Sequence, residues 1–365
     1  MKPLQVAVIG AGHLGRIHAK LLSQVDGVEL VAITDPIPAA RALAEAQFGV
    51  PTFASHRDAI ASIDAAIVSS PTPYHAETVA ELLTADKHVL VEKPITIHCD
   101  EARDLVKLAR LRRRVLQVGH VERFNPAWTA AAEITRDAKY VEAVRASRFP
   151  GRCLDVGVVL DLMIHDIDLV LSLTDAPLRS VSASGIAVVS DFEDMAEARL
   201  EFECGLVANL KASRISPAPS RQMKTFGPQG FAEIDFGTLS LTTVCPDQSI
   251  AQRSFDLETH TDQPLQFADE LFSRFLLPNT VRVEPRNAIL DELHDFVISI
   301  QSRSTPTVSG LDGLRAVEVA GQILQSIQSR QWSHSNTSGL VGPHVIPRES
   351  ITAASRRIHE IRRAA

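Results

Sequence analysis

Cysteine is scarce in this 365-residue chain, and the four that occur stand far apart, at Cys99, Cys153, Cys204 and Cys245. None forms a C-x-x-C pair or a zinc-type spacing, which predicts reduced thiols in a cytoplasmic protein. Histidine and carboxylate sets such as H-E-x-x-H are also missing, so we expect no metal site. The absence of a Gly-x-Ser-x-Gly elbow excludes the main signature of an α/β hydrolase.

Excess positive charge and long apolar runs are also absent. The net charge is -7, and without a basic domain to neutralise phosphates we expect no nucleic-acid partner. The most apolar late window, residues 156–173, carries Asp161, His165, Asp166 and Asp168. A membrane-spanning helix could not bury these groups cheaply, so we expect no membrane segment. The length and the 45% hydrophobic content indicate a globular protein with room for two domains.

What the chain does have is a glycine motif. Residues 6–15 read Val-Ala-Val-Ile-Gly-Ala-Gly-His-Leu-Gly, an apolar strand pattern that breaks into G-x-G-x-x-G. Gly10 and Gly12 allow a tight turn against a pyrophosphate, and Gly15 allows the following helix to pack on the strand. A second predicted strand ends at Asp35, where dinucleotide-binding domains place a carboxylate for the ribose hydroxyls. Because that carboxylate would repel a 2′-phosphate, we expect NAD rather than NADP.

The chain up to residue 121 alternates short β-branched runs with helical stretches, which is typical of parallel βαβ units. We therefore predict a doubly wound parallel sheet of the Rossmann type over residues 1–121, with strands at Gln5–Ile9, Glu29–Thr34, Ala65–Val68, Val89–Val91 and Val115–Val118. Ligands collect at the carboxyl edge of such sheets. The predicted cofactor-binding residues, besides the three glycines and Asp35, are His13, Leu14, Ser70, Pro71, Thr72, His75, Glu92 and Lys93. For His13, His75 and His120 we favour packing or cofactor contact over catalysis.

After residue 121 the pattern changes to consecutive strand-like runs between residues 140 and 244, which predicts a largely antiparallel sheet with one covered face. We assign residues 122–330 to an α+β domain for substrate binding and oligomerisation. Residues 331–365 form a C-terminal extension, either a flexible arm or a clasp on a neighbour. An exposed sheet face would aggregate unless another subunit covered it, so we expect a homo-oligomer, a dimer or a tetramer.

Two places carry side chains suited to chemistry. Lys93 follows a predicted strand at the carboxyl edge of the first sheet, where a cation could polarise a reacting hydroxyl or carbonyl, although a solvated loop lysine would look the same. Residues 157–170 predict one apolar helix on which Asp161 and His165 are i, i+4 neighbours. The imidazole could act as an acid or base oriented by the carboxylate, or the pair could be a polar stripe or a hydrogen-bonded core histidine.

Four features together resemble one family: the glycine motif, Glu92-Lys93-Pro94, the Asp161-x-x-x-His165 helix, and residues 306–313, Pro-x-Val-Ser-Gly-x-Asp-Gly. The chain is similar over roughly residues 4–330 to the glucose-fructose oxidoreductase, inositol dehydrogenase and rhizopine-catabolism (Gfo/Idh/MocA) family. The resemblance implies a large open antiparallel sheet in the second domain and an active site between that sheet and the nicotinamide. It also implies that Lys93 polarises the reacting oxygen, that His165 is the general acid/base and that Asp161 orients the substrate or the lysine. Here Gly157-Val158 replaces the Gly-Gly pair of some members.

Residues 118–126 and 159–168 are similar to the branch of this family that contains UDP-N-acetylglucosamine 3-dehydrogenases. The resemblance therefore implies hydride transfer from a sugar-ring hydroxyl to NAD, on a nucleotide sugar. Predicted substrate-binding residues, besides Lys93, Asp161 and His165, are Arg123, Asn125, Arg148, Arg152 and Arg214; the guanidinium groups suit phosphate oxygens, but each could be an ordinary ion-pair partner. A dehydrogenase of a free polyol such as myo-inositol, and a non-catalytic NAD-binding regulator, are the alternatives.

Overall fold

The structure is a computed structural model and describes residues 2–149, 156–256, 264–330 and 340. Its first sheet is entirely parallel and has six strands in the order β3-β2-β1-β4-β5-β6. The strands are β1 (Leu4–Ile9), β2 (Val28–Thr34), β3 (Thr52–Phe53), β4 (Ala65–Val68), β5 (His88–Glu92) and β6 (Leu116–Gly119). The helices between them are α1 (His13–Leu22), α2 (Pro38–Phe48), α3 (His75–Thr84) and α4 (Cys99–Arg112). The predicted Rossmann sheet is thus confirmed, and only the two-residue strand β3 was not expected.

Strand β1 shows why the sheet needs helices on both faces. Ala7 and Ile9 belong to one buried hydrophobic cluster, whereas Val6 and Val8 belong to another. Successive side chains of a strand point to opposite faces, so a strand that is apolar at every position must be covered twice. The strand order reverses between β1 and β4, and this places the cofactor crevice of a doubly wound sheet at their carboxyl ends.

The second sheet has eight strands in the order β14-β13-β12-β11-β7-β10-β9-β8. All neighbours are antiparallel except β7 and β10, which are parallel. This confirms the predicted large, mostly antiparallel sheet. The strands are β7 (Tyr140–Ala146), β8 (Leu178–Ile186), β9 (Met195–Phe202), β10 (Val207–Ser213), β11 (Ser220–Gly227), β12 (Gly230–Asp235), β13 (Ser240–Pro246) and β14 (Leu276–Arg282).

Helices cover one face of this sheet. In β9, Ala196, Ala198 and Leu200 are buried while the residues between them face outward, which is the period-two pattern of a half-covered strand. The remaining helices are α5 (Pro126–Ala130), α6 (Ala132–Thr135), α7 (Ile164–Leu171), α8 (Gln248–Ala251), α9 (Pro264–Glu270), α10 (Ala288–Ser302) and α11 (Gly310–Ser329). No helix in the described part of the chain is long and apolar enough to cross a membrane.

Three local features differ from the sequence expectations. The helix predicted over residues 157–170 begins as a π-helical turn, Val159–Met163, and becomes α-helical only at Ile164. Strand β14 lies where no strand was predicted. Helix α10 belongs by chain order to the second domain, yet Leu293 and Phe296 pack in the same cluster as Val8 of the first sheet. The chain therefore returns to the Rossmann layer after it leaves the second sheet.

Candidate active site

The glycine loop has the shape that a dinucleotide requires. Gly10 has φ +100°, and a Cβ there would lie 2.8 Å from the Ser69 backbone. A Cβ on Gly15 would lie 1.8 Å from the carbonyl oxygen of Gly10, so helix α1 could not pack this closely with any larger residue. Gly12 is different, because a Cβ there would meet no atom within 4 Å. The N-terminus of α1 therefore faces open space with His13 exposed and Leu14 half-buried, as a phosphate-binding loop must.

Asp35 lies immediately after β2, beside this loop. Its Oδ2 accepts a hydrogen bond from the Ala11 amide at 2.8 Å, and its Oδ1 accepts one from the Ile37 amide at 2.8 Å. Arg41 donates to the backbone oxygen of Asp35 at 2.8 Å and not to its carboxylate. The carboxylate is thus fixed by two backbone amides and is not paired with Arg41.

The loop after β4 forms the next wall of the crevice. The ring nitrogens of His75 lie 2.8 Å from the Ser70 carbonyl oxygen and 2.9 Å from the Pro94 carbonyl oxygen. His75 thereby ties this loop to the segment that carries Lys93, while Pro71 is exposed and Thr72 is half-buried. The Ser70 hydroxyl is buried and has no hydrogen-bond partner within the described residues. Together with the open space at Gly12 and the fixed carboxylate of Asp35, these features fit a nicotinamide dinucleotide.

Lys93 connects the two sheets. It follows β5, and its Nζ donates hydrogen bonds to the backbone oxygen of Asp161 at 2.6 Å and to the side-chain Oδ1 of Asp161 at 3.1 Å. The Lys93 and Asp161 side chains are 18% and 14% exposed. An ammonium group held this way is desolvated enough to act strongly on a nearby oxygen but stays open to the crevice.

His165 lies one turn beyond Asp161, in α7, and is half-buried. Burial lowers the pKa of its imidazole well below the usual range, and the positive charges of Lys93, Arg145 and Arg221 lower this pKa further. The ring is therefore neutral at physiological pH and able to accept a proton. This electrostatic setting suits a general base better than a general acid.

A buried cluster lies behind the lysine. His18 Nε2 is 2.7 Å from Glu92 Oε1, and the ligand atoms of His18, Glu92 and Glu292 all lie within 4.8 Å of one another. In the described residues this is the one such group close enough to hold a metal ion. Burial raises the pKa of Glu292 well above its ordinary value, and the neighbouring carboxylate of Glu92 raises it further. A proton on Glu292 removes the repulsion between the two carboxyl groups.

The segment from Glu122 to Asn125 makes ion pairs and hydrogen bonds within the protein. Arg123 makes a two-point ion pair with Asp168, at 2.7 and 3.1 Å. Glu122 receives a hydrogen bond from Arg145 at 2.7 Å and one from the Asn125 side-chain amide at 2.9 Å. The Asn125 Oδ1 atom also caps helix α5. Arg123 and Arg145 are thus each paired with a carboxylate. A charged group can lie inside a protein when an opposite charge is paired with it.

The other predicted arginines have different surroundings. Arg214 is fully buried, with its guanidinium donating to Asp194 at 2.8 Å, Ser190 at 2.7 Å and the Val156 carbonyl at 3.0 Å. That environment gives it a structural role. Arg148 is exposed and donates to the Pro217 carbonyl oxygen at 2.8 Å. Arg152 lies outside the described residues.

One cation near the site was not expected from the sequence. Arg221, in β11, stands opposite Arg145 of β7 and shares the inner sheet face with the buried Met223. Its side chain is 48% exposed, and its nearest anionic contact is Glu122 at 3.5 Å. Arg145 has its charge matched by Asp166 and Glu122, whereas Arg221 keeps its guanidinium open next to His165. Period-two alternation along β11 is the signal that could have found it.

Comparison with known proteins identifies the family. Residues 4–120 match the model of an oxidoreductase family with an NAD-binding Rossmann fold, GFO_IDH_MocA, and residues 131–233 match the GFO/IDH/MocA C-terminal domain. The UDP-N-acetylglucosamine 3-dehydrogenase of Acidithiobacillus ferrooxidans is 31% identical over 334 residues, which are 89% of this chain and 98% of that one. This chain belongs to the GFO/IDH/MocA oxidoreductase family.

Family members with different substrates resemble it over a similar length. The crystal structure of the Acidithiobacillus enzyme superposes with a TM-score of 0.77 and covers 89% of this chain and 98% of its own. The scyllo-inositol 2-dehydrogenase (NAD(+)) of Bacillus subtilis is 27% identical and covers 87% of this chain and 92% of its own. A scyllo-inositol dehydrogenase from Lactobacillus casei, solved with NAD(H) and scyllo-inositol, shares the fold, with a TM-score of 0.70, 21% identity and coverage of 89% and 97%. The family and the oxidoreductase class are therefore established, and the substrate is a finer question.

Within this GFO/IDH/MocA site, the structure brings Lys93, Asp161 and His165 together, with the glycine loop and Asp35 lining one crevice. Arg123 and Arg214 instead form ion pairs with carboxylates, and Asn125 caps helix α5. Arg221, for which the sequence predicted no role, and His120, for which it predicted packing or cofactor contact, also lie near His165.

Proposed function

We propose that this protein catalyses the NAD-dependent oxidation of a ring hydroxyl of a nucleotide sugar, as a UDP-N-acetylglucosamine 3-dehydrogenase does. The observation that carries the proposal is the Lys93–Asp161 contact beside a neutral His165 at the edge of the dinucleotide crevice. The 31% identity to such an enzyme along 89% of the chain supports the choice of substrate class.

The residues divide the reaction between them. His165 removes the proton of the substrate hydroxyl, because its ring is neutral and half-buried at the site. Lys93 stabilises the negative charge that develops on the same oxygen. Asp161 holds the lysine in place through two acceptor atoms. Bound NAD supplies the hydride acceptor, and the charge on Asp35 favours it over NADP.

Arg221 is the cation we propose for the diphosphate of the substrate. The Arg221 side chain is half-exposed on the inner face of the second sheet, and its guanidinium lies 3.5 Å from Glu122 and 3.5 Å from the Phe236 carbonyl oxygen. Arginine suits phosphate oxygens because its planar donors bind two oxygens at once. The half-buried Arg123 and the buried Arg214 are paired with carboxylates, so we assign the diphosphate to Arg221 and to the exposed Arg148.

A free polyol such as an inositol is the second candidate substrate, supported by the 27% identity to a scyllo-inositol 2-dehydrogenase. The test is NADH formation at 340 nm with NAD and, in parallel, UDP-N-acetylglucosamine, other UDP-sugars, myo-inositol, scyllo-inositol and glucose. We expect a signal with a UDP-sugar. A signal only with a polyol would reject the nucleotide-sugar proposal. Because an unfavourable equilibrium can hide oxidation, a semicarbazide trap for the ketone accompanies each assay.

We also propose that the protein is a homo-oligomer that uses the outer face of the second sheet. Val144 and Phe226 are 39% and 40% exposed on that face. The Phe226 ring packs at a tilt against the rings of Tyr140 and Phe231, with centroid distances of 5.9 and 5.0 Å. A second copy would remove this apolar area from water. Light scattering coupled to size exclusion is expected to give a dimer or a tetramer, and a Phe226→Glu variant is expected to shift the mass toward the monomer.

A further inference from the structure

His120 is a buried histidine whose ring makes no hydrogen bond within the described part of the chain. It follows β6 and is 1% exposed, and neither Nδ1 nor Nε2 has a partner there. A buried polar group without a partner loses its hydrogen bonds to water, which costs free energy. The buried ring of His120 therefore needs a hydrogen-bond partner, and the described residues supply none.

His165 lies directly beside it. The centroids of the two rings are 6.3 Å apart and the ring planes are nearly perpendicular, at 89°. The Nδ1 atom of His165 is buried and also lacks a partner among the described residues. Where nitrogens of the two rings face each other, a centroid distance of 6.3 Å leaves roughly 4 to 5 Å between them. That gap is too long for a direct hydrogen bond, but one water molecule that makes two hydrogen bonds can span it.

We propose that one buried water molecule bridges His165 Nδ1 and His120, and that this bridge fixes the tautomer of His165. The Nδ1–H group donates to the water, and the water donates to a ring nitrogen of His120. The lone pair of Nε2 is then available to take the proton of a substrate hydroxyl. The inference rests on the proposed function, in which His165 is the general base. His120 is a positioning residue, because it acts through His165.

Because of the charges around the two rings, the tautomer of His165 decides whether its ring can act as a base toward the substrate. His165 faces Lys93, Arg145 and Arg221, whose positive charges disfavour an imidazolium, and it also faces the ring of His120. A neutral imidazole carries one proton, and if that proton sits on Nε2 the ring cannot act as a base toward the site. His120 faces a different set, which comprises Asp168, Arg123, Lys93 and Glu92. Burial lowers the pKa of His120, so it too is neutral and can accept a hydrogen bond from the water.

The test reads the tautomer directly. The full-length protein is labelled with 15N-histidine, and the ring nitrogens of His165 are assigned by the loss of their signals in His165→Asn. We expect the proton on Nδ1 in the unmutated protein at pH 7. In His120→Phe, which keeps a ring of similar size but no nitrogen, we expect the Nε2–H tautomer to grow and kcat to fall about tenfold or more. His120→Gln, with an amide that can bond to the water, is expected to restore part of both.

The matched control is His98→Phe, because His98 is exposed and lies at the start of α4. It is expected to change neither readout. An unmutated protein with His165 protonated on Nε2 overturns the proposal, and this measurement needs no variant to fold. A folded His120→Phe protein with an unchanged tautomer, or an unchanged kcat, overturns it as well. The spectra use no substrate, so a failed nucleotide-sugar assay and a failed bridge are distinguishable.

Discussion

Lys93 Nζ lies 2.6 Å from the backbone oxygen of Asp161 and 3.1 Å from its Oδ1, although the two residues are far apart in the chain. This contact joins the carboxyl edge of the parallel sheet to the first turn of the helix that covers the second sheet. Asp161 lies in a π-helical turn, and that turn precedes the α-helix that carries His165. Under the proposed function, the geometry of this pair sets where a substrate oxygen binds.

Removing the lysine tests its role. Lys93→Ala is expected to lower kcat by about 10²- to 10³-fold, because the charge that stabilises the developing alkoxide is lost, while the Kd for NAD changes by less than about threefold. Steady-state kinetics and NAD titration measure the two quantities. Lys107→Ala, an exposed lysine on α4, is the control and should leave both unchanged. Unaltered turnover in Lys93→Ala would remove the lysine from the mechanism.

The pH dependence reports the electrostatics of His165. Its pKa is lowered by burial and by nearby cations, so the unmutated enzyme should lose kcat/KM only well below the usual pKa of histidine. Lys93→Met removes one of those cations without adding a new charge. The pKa of His165 should then rise, and the acid limb of the residual activity should move to higher pH. Lys107→Met serves as the control, and an acid limb that stays in place in Lys93→Met would contradict the assignment.

Cofactor choice is tested at Asp35. Asp35→Ser removes the negative charge beside the glycine loop and both backbone-amide contacts of the carboxylate. The ratio of kcat/KM for NAD to that for NADP should fall about tenfold or more, which corresponds to ~1.4 kcal/mol. Asp104→Ser on the surface of α4 is the matched change and should preserve the ratio. A ratio that stays constant in Asp35→Ser would mean that the preference is set elsewhere.

Arg221 is tested on the nucleotide sugar. Arg221→Gln is expected to raise KM for the UDP-sugar about tenfold, since a charge-assisted hydrogen bond contributes ~1.5–3 kcal/mol, with a smaller change in kcat. Arg199→Gln on the outer face of the same sheet is the control, because that arginine pairs with Glu201 away from the site. If KM does not rise in Arg221→Gln, the diphosphate is held by other residues.

The raised pKa of Glu292 predicts that the protein loses stability as the pH rises above the ordinary pKa of a glutamate. Its folded-state pKa is raised, so the folded protein binds more protons than the unfolded chain once the pH exceeds about 4.5, the ordinary pKa of the group. Stability that is present below that pH is lost as the pH rises toward the folded-state pKa, at up to ~1.4 kcal/mol per pH unit. Glu292→Gln removes this loss. Between pH 6 and pH 9 the variant should lose less Tm than the unmutated protein.

The control for this experiment is Glu77→Gln, because the Glu77 side chain is 70% exposed. Its Tm should follow the unmutated profile across the same pH range. Parallel Tm profiles for Glu292→Gln and the unmutated protein would show that Glu292 is ionised in the folded state throughout.

The two sheets and the glycine loop beside Asp35 were predictable from the sequence alone. These follow from local patterns: a fully apolar strand that breaks into spaced glycines, and alternating strands that can bury only one face. The i, i+4 spacing of Asp161 and His165 was also predictable from the sequence, because residues that are neighbours on one face of a helix are close together in the chain. Strand β14 was missed because Leu276–Arg282 is mostly exposed and contains Pro278, so it lacks the burial pattern of a strand.

Which arginines form close ion pairs and which one keeps a half-exposed side chain depends on the tertiary structure. Nothing in the sequence distinguishes Arg123 from Arg221, but Arg123 pairs with Asp168 from another segment whereas the Arg221 side chain is 48% exposed. The same is true of Lys93 with Asp161 and of His120 with His165, whose partners come from distant parts of the chain. Local propensity sets the elements, whereas the charge balance of a site depends on which elements pack together, and that depends on the whole core.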